Sequence, residues 1–245
     1  VSSTTEPDAD KIIHANFTLS RDLWLWCAAH DTRLIYASSA ATYGDGQLGF
    51  EGLDDLDSLK ALRPLNAYGW SKALFDQYAV REAARGQAPR QWVGLKFFNV
   101  YGPNEDHKDG MKSVVCQIWP KVAAGEGVKL FKSHHPHYAD GGQLRDFVYV
   151  RDVADVVAWL AKSPQVSGVY NLGSGQARSF KDLAEATFRA IGREPEIALY
   201  RHARGAAGQS TNTSPGPHGS PAGRGYNAPM TSLEDGVERT MWRAI

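Results

Sequence analysis

The 245-residue chain balances 27 basic against 27 acidic side chains and carries only two cysteines. Zero formal net charge excludes the broad positive field that nucleic acid or an anionic membrane surface requires, and no apolar stretch approaches the roughly 20 residues of a membrane span. The length suits one large domain, or a domain with a smaller companion. Cys27 and Cys116 have no metal or redox spacing, as expected of two reduced thiols in a cytoplasmic protein. The opening Val1-Ser2-Ser3-Thr4-Thr5-Glu6 lacks a signal peptide's basic and apolar regions and an initiator methionine, and reads as the interior of a longer chain.

In chain order, Ile12, Ile13, Phe17, Leu19, Leu23, Trp24 and Trp26 fall at mostly helical spacing and predict a helix over 9–30, followed by a buried strand over 33–38. A helix over 68–84 and a strand over 92–98 come next, then a loop over 99–109 rich in turn formers. Further on, the pattern predicts a helix over 111–124, strands over 128–131 and 144–150, a helix over 152–161, a strand over 169–172 and a helix over 180–191. Strands alternating with crossover helices define an α/β class with a Rossmann-like, doubly wound parallel sheet, incomplete at its N-terminal side. Residues 1–110 are read as the later part of that sheet domain, with strand returns over about 144–172, and residues 111–245 mainly as a smaller substrate-binding α/β cap.

The chemistry-bearing residues gather where such a sheet binds ligands, at the carboxyl ends of its strands. Ser38, Ser39 and Asn99 all fall at predicted strand ends. Tyr68 and Lys72 stand at i and i+4 of a predicted helix, on one face, so that an ammonium can favour the phenolate of a tyrosine whose ordinary pKa of about 10 makes it a poor base. Gly44-Asp45-Gly46-Gln47-Leu48-Gly49 matches the dinucleotide fingerprint by letter, but Phe50-Glu51-Gly52 follows where a helix is needed, and nearby acids would repel phosphates. It is read as a loop. His134-His135-Pro136-His137 lacks a ligand spacing and is read as loop too, so no metal is expected.

Five runs together resemble the extended short-chain dehydrogenase/reductases: 36–44 (Tyr-Ala-Ser-Ser-Ala-Ala-Thr-Tyr-Gly), the Tyr68 to Lys72 pair, 98–103 (Phe-Asn-Val-Tyr-Gly-Pro), 145–150 (Arg-Asp-Phe-Val-Tyr-Val) and 170–173 (Tyr-Asn-Leu-Gly). Within them, residues 39–44, Asn104-Glu105-Asp106-His107-Lys108 and Gly225-Tyr226-Asn227 resemble the ADP-L-glycero-D-manno-heptose 6-epimerases, an NAD-dependent epimerase/dehydratase group of lipopolysaccharide precursor synthesis. That resemblance implies an isomerase with NADP, or else NAD, as cofactor, an ADP-heptose nucleotide sugar as substrate and a homo-oligomeric state. It implies catalytic roles for Ser39, Tyr68, Lys72 and Lys108, cofactor contacts from Ser2, Asn16, Tyr68, Lys72, Val100 and Lys108, and substrate contacts from Asn99, Gly110, Gln117, Phe131 and Arg145. The guanidinium of Arg145 suits a diphosphate because it is a fixed fork of donors.

Two departures stand beside the resemblance. The chain begins after the family's first strands, so the glycine fingerprint and the residue selecting NAD or NADP are expected upstream. Residues 200–223 are rich in Gly, Pro, Ser and Arg without apolar periodicity and read as an insertion or a shifted reading frame, as does the ending 240–245. Two alternatives compete: another nucleotide-sugar epimerase or dehydratase of UDP-hexose type, which needs no Lys108, and an inactive fragment that lacks its cofactor half.

Overall fold

The computed structural model describes residues 6–50, 55–132, 140–200 and 224–241. The first half runs α1 (Ala9–Ile13), a π-helical turn (His14–Thr18), α2 (Leu19–Ala29), β1 (Leu34–Ser39), a 3-10 turn (Ala40–Tyr43), α3 (Leu56–Ala61), α4 (Ala67–Ala84), β2 (Trp92–Phe97) and β3 (Asn99–Tyr101). A second 3-10 turn (Asp106–Met111), α5 (Val114–Ala123), β4 (Val128–Phe131), β5 (Leu144–Tyr149), α6 (Val150–Lys162), β6 (Gly168–Leu172), β7 (Ala177–Ser179), α7 (Phe180–Arg189), β8 (Ile197–Tyr200) and α8 (Leu233–Met241) follow. The described residues divide into two compact units, one within 6–98, 155–172 and 224–227, the other within 99–154, 173–200 and 228–241.

The first unit is a parallel sheet in the order β1-β2-β6 with helices against it. Val93 and Leu95 of β2 are fully buried, as a central strand of a parallel sheet demands. Helix α4 crosses from β1 to β2 and packs through Phe75 and Ala79 on Trp24 of α2, with Tyr36 and Trp92 alongside. Trp24 is buried yet satisfied, its indole N–H donating to Gln87 O at 2.9 Å. Gln91 closes the far end of the sheet by donating through Nε2 to the carbonyls of Leu160, Ser163 and Val166 at the end of α6.

The second unit holds β3 parallel to β5, β7 antiparallel to β5, and a separate parallel pair of β4 and β8. Its core gathers Val115, Ile118 and Val122 of α5, Leu183 and Phe188 of α7, and Leu233, Val237 and Met241 of α8 around Tyr101 and Tyr149. Helix α7 opens with a full capping box, Ser179 accepting from Asp182 N–H and Asp182 accepting from Ser179 N–H.

The predicted elements stand within a few residues of their expected places, with three differences. Asn99–Tyr101, expected as loop, is strand β3, because Phe98 N–H still bonds Leu172 O and the next residue takes β5 as its partner. The helix expected from 111 begins at Val114, where Ser113 caps it, and a 3-10 turn precedes it. Thr240 and Met241 finish α8 with buried side chains, Thr240 Oγ1 donating to Gly236 O at 2.7 Å. The runs 201–223 and 134–137 lie outside the described residues.

Candidate active site

The site grows from the end of β1. Ser39 leaves the strand in extended backbone and caps the 3-10 turn behind it, its Oγ accepting from Ala41 N–H at 3.1 Å while its carbonyl accepts from Thr42 Oγ1 at 2.9 Å. Asn66 caps α4 in the same way, accepting from Gly69 N–H at 2.8 Å, and so fixes the turn that carries Tyr68. A Cβ on Gly69 would lie 2.7 Å from Ala41 O and 3.0 Å from Pro64 Cβ. Only glycine lets the start of α4 lie against the turn that follows Ser39. In Gly69→Ala, helix propensity returns at most about 1 kcal/mol while overpacking costs about 1–3 kcal/mol. The expected outcome is a melting midpoint lowered by a few degrees and reduced turnover as Tyr68 is pushed from Ser39; a midpoint at or above wild type by calorimetry would show that this contact yields freely.

The Ser39 hydroxyl stands close enough to Tyr68 to act on its phenol. Burial raises the Tyr68 pKa, and Ser39 only partly offsets it. Lys72 Nζ stands 5.9 Å from the centroid of the Tyr68 ring and donates to Ala37 O at 2.9 Å. Burial lowers the Lys72 pKa, and the charge of Asp76 works against that. The ammonium thus sits over the ring rather than on the phenol oxygen, and Tyr68 is a neutral phenol in this arrangement. Asn16 occupies the π-helical turn, a distortion often found at functional sites; it is buried, and its Nδ2 donates to Ser71 Oγ at 3.0 Å, which in turn donates to Tyr68 O at 2.7 Å. Ser39, Tyr68, Lys72 and Asn16 are therefore one connected group in the first unit. A nicotinamide ribose fits their chemistry, because Lys72 spends one of three N–H donors on Ala37 and no described residue takes the other two. Ser2 lies outside the described residues.

Beneath this group is a set of buried charges that the sequence reading passes over. Lys96 and Asp76 are 1% and 0% exposed and pair at 2.8 Å. Asp76 also accepts from Ser38 Oγ at 2.6 Å and Tyr36 OH at 3.1 Å, and Lys96 donates to Thr42 Oγ1 at 2.7 Å. Tyr43 stacks its ring 5.1 Å from Lys96 Nζ and donates to Asn171 Oδ1, whose amide donates to Phe50 O. The sequence signal was a lysine inside an otherwise apolar strand, which must meet a buried counter-ion.

The other predicted residues belong to the second unit. Lys108, on the 3-10 turn, pairs with Glu105 at 3.2 Å, and Glu105 also accepts from Ser113 N–H at 2.8 Å. Burial works to raise the Glu105 pKa, but the Ser113 bonds and Lys108 outweigh it and hold the carboxyl below its ordinary value. Gln117 reaches back from α5 to donate to Lys112 O at 2.6 Å and Gly110 O at 3.3 Å, which brings Lys108, Gly110 and Gln117 into one loop and helix start. A Cβ on Gly110 would meet nothing within 4 Å among the described residues, so close approach does not require glycine there. Asn99 and Val100 open β3, with Asn99 Nδ2 donating to Asp146 O. Arg145 stacks 5.6 Å from the Phe180 ring centroid, whereas the Asp146 carboxylate receives Ser174 N–H and Oγ–H and Gly175 N–H. Phe131 ends β4 half-exposed against Tyr200.

The parallel sheet with its strand-end serine and adjoining Tyr–Lys helix defines a Rossmann-type α/β enzyme. Residues 2–173 match the model of the NAD dependent epimerase/dehydratase family, and the chain belongs to that family, whose enzymes depend on a nicotinamide cofactor. It is 46% identical over 244 residues to the ADP-L-glycero-D-manno-heptose-6-epimerase of Nitratidesulfovibrio vulgaris, covering 100% of this chain and 74% of that protein. Its fold is similar to the crystal structure of the Helicobacter pylori ADP-L-glycero-D-manno-heptose-6-epimerase, with a TM-score of 0.77 at 28% identity over 99% of this chain and 69% of that one. The UDP-glucose 4-epimerase of Thermus thermophilus, solved with NAD, is similar at a TM-score of 0.66 and 29% identity over 88% of this chain and 65% of that one. No helix among the described residues is long and apolar enough to cross a membrane.

Proposed function

We propose that this protein is an ADP-L-glycero-D-manno-heptose 6-epimerase, a cytoplasmic homo-oligomer that uses NADP in preference to NAD. The observation that carries the substrate choice is the 46% identity over 244 residues to an enzyme of that name, in company with a lysine at position 108 that a one-base relative does not need. A bound nicotinamide, its ribose held by Lys72, would supply reversible hydride chemistry at C6 of the sugar, with no net redox change. Tyr68, with Lys72 and Ser39 beside it, moves the proton of the reacting hydroxyl: the O–H bond breaks toward Tyr68 as the C–H bond is lost. Ser39 holds the reacting oxygen by hydrogen bond. Lys72 binds the nicotinamide ribose, and its ammonium favours the phenolate once Tyr68 must act as base. Lys108 serves as the second proton-transfer group, which a reaction that oxidises and reduces one carbon from opposite faces requires. Asn16 and Val100 are assigned to the cofactor, as is Ser2, and Asn99, Gly110, Gln117, Phe131 and Arg145 to the nucleotide sugar.

The experiment is to express the full-length protein and assay ADP-D-glycero-D-manno-heptose against UDP-glucose, with NADP and NAD compared in binding. Epimerisation of the heptose and not of UDP-glucose is expected. Turnover of UDP-glucose alone would replace this reading with the UDP-hexose one, and full-length protein that binds neither cofactor would point to an inactive remnant.

A further inference from the structure

We propose that the buried Asp76–Lys96 pair is a positioning element of the acid/base centre, clamping the helix that bears Tyr68 and Lys72 to the strand end that bears Ser39 and setting a fixed negative charge one turn behind Lys72. The inference deepens the proposed function, since it rests on the roles given there to Tyr68 and Lys72.

Tyr68, Lys72 and Asp76 follow one another at four-residue steps along α4 and so share a face. Asp76 is the buried end of that stripe, and its carboxylate is fully committed to Lys96, Ser38 and Tyr36. Burying an ion pair is poor value for stability, because the desolvation of both charges consumes most of their attraction and an apolar pair of equal volume does as well. What the pair does supply is geometry on two sides. From Lys96 a chain of hydrogen bonds runs through Thr42 Oγ1 to the carbonyl of Ser39. From Asp76 another reaches Ser38, the neighbour of Ser39. The same two side chains thereby fix α4 and both ends of the Ser39 backbone, in β1 and in the 3-10 turn.

The second contribution is charge. Among the described residues, the titratable groups in contact with Lys72 or with the buried pair include Tyr68 and Asp76 on α4, Tyr36 on β1, Lys96 on β2 and Tyr43 on the 3-10 turn. Burial holds Tyr36 and Tyr43 as neutral phenols. Of the charges that remain, Asp76 is the one that draws the Lys72 ammonium back toward its charged form. Lys72 must carry its proton to stabilise a phenolate, so the alkaline limit of activity depends on Asp76.

The test uses full-length protein with selectively labelled lysine, the Lys72 signal being assigned by its loss in Lys72→Met. In Asp76→Asn, Lys72 is expected to lose its proton about one pH unit lower than in wild type, the scale of a single charge one helix turn away at an intermediate dielectric. The alkaline limb of the turnover profile should move down with it, and turnover near neutral pH should fall about tenfold or more as Ser39 and Tyr68 lose registry. Lys96→Arg, which keeps both the charge and a donor for Thr42, should hold the wild-type titration. Where Asp76→Asn does not fold, the Asp76→Asn/Lys96→Met variant, which removes both members of the pair, carries the same measurement with a smaller downward shift. A Lys72 titration and alkaline limb that stay in place while turnover falls would make the pair ordinary core packing and sink the proposal. A titration that moves in a protein whose wild type does not epimerise ADP-heptose would support the positioning role and overturn the substrate reading instead.

Discussion

Tyr68→Phe in the full-length protein is expected to lower turnover by about 100-fold or more, the usual worth of a positioned acid/base group. The reason is local. The Ser39 hydroxyl at the end of β1 acts on the phenol, and the ring stands beside the Lys72 ammonium. Removing the hydroxyl deletes the proton route and leaves the apolar ring in place, so α4 keeps its cap at Asn66 and its contact at Gly69. Folding, followed by circular dichroism, and cofactor binding, followed by titration, should both stay near wild type. Because burial raises the Tyr68 pKa, the neutral phenol dominates near neutral pH until the cationic groups of the loaded site act on it. Turnover should therefore rise with pH on the acid side in wild type and lose that limb in Tyr68→Phe. A variant with wild-type turnover would remove Tyr68 from the mechanism altogether.

How much of this was legible in the sequence follows from where the information is local. β1 and β2 are short apolar runs, and α4 is a long helix with an asparagine cap, so their existence and the placement of Ser39, Tyr68 and Lys72 needed nothing beyond periodicity and strand ends. Strand β3 was hidden because Asn99-Val100-Tyr101 is three residues long and runs straight into Gly-Pro-Asn, which reads as turn. Helices α3 and α8 and strands β7 and β8 escaped for a related reason: each is too short, or too polar on its outer face, to show a period before its partner is known. The lysine in the apolar run of β2 signals a buried counter-ion, but not which one: Asp76 lies twenty residues away on α4, and only the fold brings the two together. The conformation of Tyr68 and Lys72 was also not legible. Spacing placed the ammonium under the phenol oxygen, whereas the structure bonds it to Ala37 O and leaves burial to set the tyrosine.

Lys108→Met should also slow epimerisation by about 100-fold or more, and it is the variant that separates a two-base mechanism from a one-base relative. The loop that presents Lys108 is organised by Glu105 rather than by the lysine. Glu105 accepts from Ser113 N–H at 2.8 Å and Gly102 N–H at 3.3 Å, and those bonds survive the substitution. Asn104, just before it, already holds the backbone in the left-handed region with a φ of 69°. The lost ion pair is partly exposed on the lysine side, at 42%, and is worth no more than about 1 kcal/mol. Folding should thus be retained, and Met keeps the length and apolar stem of the lysine while removing its protons. Cofactor binding, which the proposed function rests on Lys72 and Asn16 in the first unit, should fall little if at all. With a substrate analogue already at the carbonyl level, each single variant should retain proton transfer at the face it does not serve, so Lys108→Met and Tyr68→Phe would each yield a different one of the two product configurations. If Lys108→Met epimerises at the wild-type rate while Tyr68→Phe does not, one acid/base group suffices, and the UDP-hexose reading replaces the two-base one.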